Sequence, residues 1–399
     1  MSLVDLDALD NILDKIKKPK IGVIGAGRLG ICFALLVDRA GYDVVVSDVR
    51  ESYVKNLNEK HISTNEPLVN ELLKDCNIRA TTSNREVITH SDIVYTFVAT
   101  PSTKDGNYDV SNVDDVVNDI SDALITSKKF VVGCTTNPGD CDVWKKRLKN
   151  DGVDVYYNPE FIAQGAIIDG LLKADMVLVG GKFDQDIVDL YYGIQGPAME
   201  PRMNFMSLTA AELTKIALNC YLTMKISYAN QVGEVLTKFG LESEIDNVLD
   251  AIGADSRVGS KYLGYGFGFG GPCLPRDNRA FAHAAERVGL ENNIGLTIDA
   301  FNDEHAQFLV DTLCDKHRNK KVPFYMDCIT YKKGTDIIEE SQQYVLFKEL
   351  LKRGYKVVAL ELPEVVEKVY NDLMYTWPGQ FQFVYSEDQI PVNVYRVNL

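Results

Sequence analysis

Ile21-Gly22-Val23-Ile24-Gly25-Ala26-Gly27-Arg28-Leu29-Gly30 is the stretch on which the fold turns. Its first four residues form a short run of the kind found in strands buried on both faces. The next six carry glycine at their first, third and sixth places. Gly25 permits a tight turn out of the strand, Gly27 lets a pyrophosphate approach the backbone, and Gly30 lets the next helix pack closely. Phosphate then lies at the positive end of that helix. The helix is expected over Arg28–Ala40 and a second strand over Tyr42–Asp48. Asp48 follows Gly30 by 18 residues. An acidic side chain there accepts hydrogen bonds from a ribose diol and repels a 2′-phosphate, so the expected cofactor is NAD rather than NADP. Arg50, close by, weakens that preference. Gly25, Gly27, Arg28, Leu29, Gly30 and Asp48 are the candidate cofactor-binding residues of this loop.

Outward from the loop the alternation continues. Strands are expected at Lys20–Ile24, Ile93–Ala99, Phe130–Cys134, Val153–Asn158 and Met176–Gly180, a rhythm that predicts a parallel sheet covered on both faces. From Thr209 to Phe239 the pattern becomes one long helix, without proline and stopped by Gly240. Helical pieces follow to about Ala300, interrupted by GYGFGFGGPCLPRD (264–277). A second α/β unit then begins with strand Val322–Ile329, helix Gln342–Arg353 and strand Lys356–Glu361. The expected fold is α/β: two Rossmann-like doubly wound domains joined by a central helical domain with one long helix. The boundaries read as an N-terminal extension (1–19), a dinucleotide-binding domain (20–200), a helical domain (201–300) and a C-terminal α/β domain (301–399). Within the extension, Leu6, Leu9, Ile12, Leu13 and Ile16 have the spacing of a short amphipathic helix. It lacks the continuous apolar core of a signal peptide.

Hydrophobic residues make up 46% and charged residues 25% of the 399, the balance of an ordinary globular protein. A net charge of -15 argues against nucleic acid or anionic membrane as a partner. No apolar run is long enough to span a bilayer. The eight cysteines are scattered, with no CxxC pair and no histidine at ligand spacing. Free thiols in a reducing, cytoplasmic compartment are therefore expected, and no metal site. The five histidines do not cluster, which points away from dehydrogenases with a histidine base.

The chemistry concentrates elsewhere. Cys273 follows Gly264, Gly266, Gly268, Gly270 and Gly271 and precedes Pro275, a favoured residue of a helix's first turn. A thiol at a helix start feels the positive dipole end, which favours thiolate, and the flanking glycines are expected to leave room for a substrate. Asp277 stands four residues on and shares a helix face with Cys273. Lys215 and Asn219 are also four apart, on the long helix. An ammonium and an amide in one cleft suit an alkoxide or tetrahedral oxyanion. From spacing alone, though, Lys215 reads as a solvated helix lysine. Glu160 follows a strand, where α/β ligand crevices form; bare, it reads as a surface loop carboxylate.

VATPST (98–103), NPEFIAQG (158–165), AELTKIALN (211–219), ADSRVGSKY (254–262) and GFGFGGPCLPRD (266–277) occur in this order. With the glycine loop they make the chain, from Lys20 onward, resemble the UDP-glucose/GDP-mannose dehydrogenase family. The resemblance implies oxidation of a nucleotide sugar's C6 alcohol to a carboxylate with two NAD reduced. Cys273 is then the nucleophile that holds the intermediate aldehyde as a thiohemiacetal and then a thioester. Asp277 assists proton transfer, Lys215 and Asn219 stabilise oxyanions, and Glu160 is the base of thioester hydrolysis. Thr100, Thr135, Gln164 and Arg276 match cofactor-side positions. Arg257, Tyr262, Leu274, Tyr331 and Lys332 match substrate contacts. Arg257 resembles the arginine that reaches a neighbouring subunit's site, which implies a homodimer or larger homo-oligomer.

Three positions depart from the pattern. Gln164 replaces a frequent Glu, Glu339 replaces a usual Arg, and Cys134-Thr135-Thr136-Asn137-Pro138-Gly139 carries one residue more before its proline. UDP-glucose is the first expectation for substrate, with GDP-mannose and UDP-N-acetylhexosamines as alternatives. Two other classes share parts of the pattern: a two-electron 3-hydroxyacid-type dehydrogenase, which needs no nucleophilic cysteine, and a non-catalytic nucleotide-sugar binding protein.

Overall fold

The computed structural model describes residues 18–124, 126–162, 165–196 and 201–397. The amphipathic helix expected within 1–17 lies outside the described residues, and so does Gln164. The chain divides into two compact units. One runs to Lys215, except for Asp105–Asn107; these three residues group with the chain from Ile216 onward in the other.

The first unit holds strands β1 (Ile21–Ile24), β2 (Val44–Ser47), β3 (Arg79–Thr81), β4 (Ile93–Thr96), β5 (Lys129–Val132), β6 (Asp154–Tyr157), β7 (Val177–Gly180) and β8 (Met203–Met206). Its helices are α1 (Arg28–Arg39), α2 (Glu51–Asn58), α3 (Val69–Asp75), α4 (Asn84–His90), α5 (Ser111–Asp122), α6 (Asp140–Leu148), α7 (Ile167–Leu172) and α8 (Gln185–Gln195). The strands lie in the order β3-β2-β1-β4-β5-β6-β7-β8. Every pairing is parallel except β6 with β7. β1, β2 and β4 are buried at every residue, as apolar runs in the middle of a doubly covered sheet must be. Alternate residues serve opposite faces. Val44, Val46 and Val131 pack with Phe33 of α1 and Leu190 of α8, whereas Val45, Phe130 and Val132 pack with Val113 of α5 and Trp144 of α6.

The chain builds outward from β1 to β3, then returns to place β4 on β1's other side. That reversal opens a crevice beyond the carboxyl ends of β1 and β4, where ligands of doubly wound sheets bind.

Helix α9 (Leu208–Lys238) begins in the first unit and continues into the second. It starts and ends within one residue of the expected Thr209–Phe239. Next come α10 (Ile245–Ala254), α11 (Leu274–Arg287) and α12 (Ile294–Lys316). A small parallel sheet then follows, ordered β11-β10-β9-β12. Its strands are β9 (Phe324–Met326), β10 (Val357–Leu360), β11 (Phe381–Val384) and β12 (Tyr395–Arg396), with helices α13 (Gln342–Lys352) and α14 (Pro363–Thr376). Leu309 and Val310 of α12, Phe347 of α13 and Val369 of α14 close its core with Phe324 and Val357. Among the described residues no helix is long and apolar enough to cross a membrane.

Candidate active site

The glycine loop shows which of its glycines the protein's own packing demands. Gly25 has φ +90°, and a Cβ there would stand 2.9 Å from the Phe97 backbone. A Cβ on Gly30 would stand 2.1 Å from the Gly25 carbonyl oxygen. Gly27 differs: it caps α1 at φ -63°, and a Cβ there would meet no atom within 4 Å. Among the described residues no atom fills the space a Cβ would take, which leaves room for a phosphate against the backbone. The first turn of α1 carries no acidic residue to oppose an anion. The cradle therefore fits a dinucleotide. Leu29 is half-buried and Arg28 exposed.

Asp48, buried just beyond β2, accepts from Arg50 Nε at 2.8 Å, Nη2 at 2.9 Å and backbone N–H at 3.1 Å. Burial raises this carboxyl, but the Arg50 hydrogen bonds and charge outweigh it and hold the group below its ordinary value. The Arg50 guanidinium also lies over the Tyr53 ring, 4.1 Å from its centroid. Thr100, in the loop after β4, is buried, and Thr135, in the loop after β5, is half-buried.

Glu160 stands three residues past β6 and is no surface loop carboxylate. Burial pushes it up to about 7, against the lowering effects of the Tyr191 hydrogen bond and the Lys215 charge. Tyr191, on α8, has its hydroxyl 2.8 Å from Glu160 Oε1 and 2.7 Å from Asn158 Oδ1. Lys215 is buried rather than solvated, with its ammonium 4.9 Å from the Phe161 ring centroid. Two further carboxylates brace this region. Glu66 accepts from the backbone N–H groups of Gly165 and Ile167, fixing the chain beyond Glu160. Glu212, fully buried one turn before Lys215, accepts from Thr136 Oγ1 and from the N–H groups of Gly139 and Cys141. It thereby caps α6 and ties the Thr135 loop to α9. Tyr191, Glu66 and the role of Glu212 escaped sequence reasoning. Glu212 sits inside a quoted motif, but Tyr191 is an ordinary helix tyrosine 31 residues from its partner.

In the second unit Cys273 is the N-cap of α11 and is exposed, with Pro275 in the first turn. Asp277 is buried and receives a 2.5 Å hydrogen bond from Asn219 Nδ2 of α9. The Arg276 guanidinium reaches back to the Pro272 carbonyl at 3.5 Å, and Leu274 packs against Cys220, Phe269 and Ile298. Three of the five glycines before Cys273 do not leave the room expected of them, whereas a Cβ on Gly264 would meet no atom within 4 Å. A Cβ on Gly268 would meet Asn302 at 2.2 Å, on Gly270 the Glu340 carbonyl at 2.4 Å, and on Gly271 the Tyr331 ring at 2.5 Å. The space is filled by α12 and by the 331–340 segment. These glycines seat the cysteine loop against the small sheet's own loop, and Tyr331 forms part of that seat.

Arg257 is 86% exposed, bound at 2.7–3.0 Å to Asp255 through its backbone N–H, Nε and Nη2. Lys225 of α9 holds the same loop by donating to the carbonyls of Val258 and Gly259. Tyr262 is exposed at φ +62°, and Lys332 and Glu339 are exposed on the 331–340 segment. Among the described residues no group of three or more His, Cys, Asp and Glu side chains could hold a metal ion.

Two family models match the chain. The NAD binding domain of the UDP-glucose/GDP-mannose dehydrogenase family matches residues 19–192, and the same family's central domain matches residues 209–304. UDP-glucose 6-dehydrogenase AglM of Haloferax volcanii is 30% identical over 360 residues, covering 86% of this chain and 83% of that protein. A UDP-glucose dehydrogenase structure from Pyrobaculum islandicum superposes with a TM-score of 0.82 at 26% identity, covering 94% of this chain and 89% of that one. A UDP-D-ManNAc dehydrogenase from Pyrococcus horikoshii, at 18% identity and TM-score 0.74 over 94% of this chain and 98% of that one, shares the fold. The chain belongs to the UDP-glucose/GDP-mannose dehydrogenase family and is an NAD-dependent nucleotide-sugar dehydrogenase.

Proposed function

We propose that the chain oxidises the C6 alcohol of UDP-glucose to the carboxylate in two hydride transfers, with Cys273 as covalent nucleophile. The observation that carries this reading is the exposed thiol at the N-cap of α11, one turn from buried Asp277 and its hydrogen bond from half-buried Asn219. A two-electron dehydrogenase has no need of such a thiol, and a mere binding protein needs neither.

NAD held by the Gly25–Gly30 loop, with its ribose at Asp48, supplies the hydride acceptor for each oxidation; Thr100, Thr135 and Arg276 are proposed to contact it. Asp277 takes up the alcohol proton as the first hydride leaves, and the Lys215 ammonium and Asn219 amide stabilise the alkoxide. Cys273 Sγ adds to the aldehyde carbon as the C=O π bond breaks and its oxygen takes up the thiol proton, and the thiohemiacetal so formed carries the second hydride. Loss of that hydride from carbon, with the hydroxyl proton released to solvent, leaves a thioester. Glu160 removes a proton from water as the oxygen adds to the thioester carbon; the C–S bond then breaks and its electron pair returns to Sγ. Burial suits Glu160 to this task, since a carboxyl brought up to about 7 is a competent base at neutral pH. Tyr262, Leu274, Tyr331 and Lys332 are assigned to the nucleotide sugar. Arg257 is assigned to a neighbouring subunit's site in a homodimer.

UDP-glucose is favoured because the 30% identical Haloferax volcanii relative carries that name over most of both chains. The exposed, acidic Glu339, where an Arg is usual, keeps GDP-mannose and UDP-N-acetylhexosamines as the alternatives to test. A panel of these nucleotide sugars, assayed for NADH formed per molecule, decides. The reading requires two NADH for one sugar and fails if all are inert or yield one.

A further inference from the structure

The Tyr191 hydroxyl carries one hydrogen and faces two acceptors, Asn158 Oδ1 at 2.7 Å and Glu160 Oε1 at 2.8 Å. The Asn158 amide cannot turn round to donate, because its Nδ2 is spent on the Leu178 carbonyl at 2.9 Å. One hydrogen cannot serve both contacts. If Glu160 is ionised, Tyr191 donates to it and Asn158 Oδ1, buried, goes without that hydrogen. If Glu160 holds a proton, Glu160 donates to Tyr191 and Tyr191 donates to Asn158. Every contact is then satisfied. The two arrangements differ by one proton on Glu160 and by the rotation of one O–H bond.

We propose that Tyr191 is a positioning residue that carries Glu160 between these two hydrogen-bonded states, turning its hydroxyl hydrogen to Asn158 Oδ1 whenever Glu160 takes up a proton. The inference rests on the reading of Glu160 as the base of thioester hydrolysis. In that step a water O–H bond breaks, its proton goes to Glu160 and its oxygen bonds to the thioester carbon. The new O–H of Glu160 donates to Tyr191, whose own O–H swings to Asn158 without leaving the tyrosine. When Glu160 releases its proton to solvent the rotation reverses. Other charged or titratable groups facing Glu160 are Lys215 from α9 and Tyr95 from β4. Asp184 acts in turn on Tyr95. The Tyr95 hydroxyl is buried with no hydrogen-bond partner among the described residues, so it does not compete for the hydrogen.

The two neighbours should therefore move Glu160 in opposite directions. Tyr191→Phe takes from the carboxylate a charge-assisted hydrogen bond, roughly twice as strong as a neutral one, so the carboxyl should titrate at higher pH. Asn158→Ala removes the acceptor that the protonated arrangement alone uses, so the carboxyl should titrate at lower pH. The test is an infrared titration of the ligand-free protein. The Glu160 carboxylic C=O band is identified by its loss in Glu160→Gln, and melting temperatures show that each variant is folded. Expected are midpoints displaced by about one pH unit either side of the unmodified protein, about a tenfold change in the ionised fraction below the midpoint. Displacement in one direction by both variants, or in neither, overturns the relay. A parallel pH profile of steady-state sugar oxidation judges the base separately. If the infrared midpoints separate but the acid limb of kcat stays where it was, the relay stands and Glu160 is not the base.

Discussion

Asp48 accepts both a 2.8 Å hydrogen bond from Arg50 Nε and a 2.9 Å hydrogen bond from its Nη2. The carboxylate proposed to select against a 2′-phosphate therefore carries its own counter-ion. Asp48→Ala should lower kcat/KM for NAD and raise it for NADP, since the freed guanidinium then meets the phosphate. A change in the ratio of roughly tenfold or more is expected for the loss of one charged hydrogen-bonding group. Arg50→Ala should do the reverse and sharpen the preference for NAD. Kinetics with both cofactors decide, and a preference that weakens in Arg50→Ala would show that the pair does not set selectivity.

Gly27 and Gly30 sit three residues apart in one loop and should fail differently. A Cβ at Gly27 meets open space, so Gly27→Ala should melt within a degree or two of the unmodified chain yet bind NAD at least roughly tenfold more weakly. A Cβ at Gly30 would stand 2.1 Å from the Gly25 carbonyl. Gly30→Ala should therefore cost about 1–3 kcal/mol of stability. Calorimetric melting and NAD titration separate the two. Equal loss of stability in both variants would mean that Gly27 serves packing and not a phosphate.

The sheet's centre was legible because burial on both faces leaves an apolar run, as at Ile21–Ile24 and Val44–Ser47, and because the glycine turn names its own conformation. Strand ends were not: Ile93–Ala99 was expected, and pairing stops at Thr96. β3 and β8 went unseen because neither has a buried residue, so their residues carry no strong pattern. Of the candidate site, the fourfold spacings within one helix were readable, as at Lys215 and Asn219. Contacts between distant segments were not. Nothing in the sequence says that Gly271 lies under Tyr331 or that Tyr191 reaches Glu160, because long-range packing sets both. Gly268, Gly270 and Gly271 misled for the same reason: a missing side chain looks alike whether a ligand or another part of the chain fills the space.

Tyr221, Tyr228 and Val235 are each about half exposed and recur every seventh residue along α9. Residues seven apart lie on one helix face, and exposed apolar side chains aligned there suit an interface. A second copy of this chain is the occupant proposed, in keeping with the role assigned to Arg257. Tyr228→Glu should convert the proposed dimer to monomer in sedimentation equilibrium at micromolar concentration. Mixing inactive Arg257→Ala with inactive Cys273→Ala should restore part of the activity, since a hybrid dimer holds one site with both residues intact. A monomeric unmodified protein, or no recovery despite subunit exchange, would refute the shared site.

Cys273 carries the proposed chemistry. Removing its thiol leaves the glycine loop, Lys215 and the Asn219–Asp277 pair in place, so the first hydride transfer remains possible. The aldehyde then has no sulfur to add to it and cannot become the thiohemiacetal from which a second hydride departs. Cys273→Ala should therefore give a small initial NADH signal and no steady production of acid. The unmodified enzyme should yield two NADH for each limiting UDP-glucose, or for each molecule of whichever nucleotide sugar is active. Glu160→Gln should stop between these outcomes, with both oxidations complete and a substrate-sized mass left on Cys273 in intact mass spectrometry. Thus the three proteins should differ in what accumulates: no covalent adduct in Cys273→Ala, a persistent one in Glu160→Gln and free acid in the unmodified enzyme. Undiminished acid production by Cys273→Ala would remove the covalent mechanism, because no other residue is proposed to carry the aldehyde between its two oxidations.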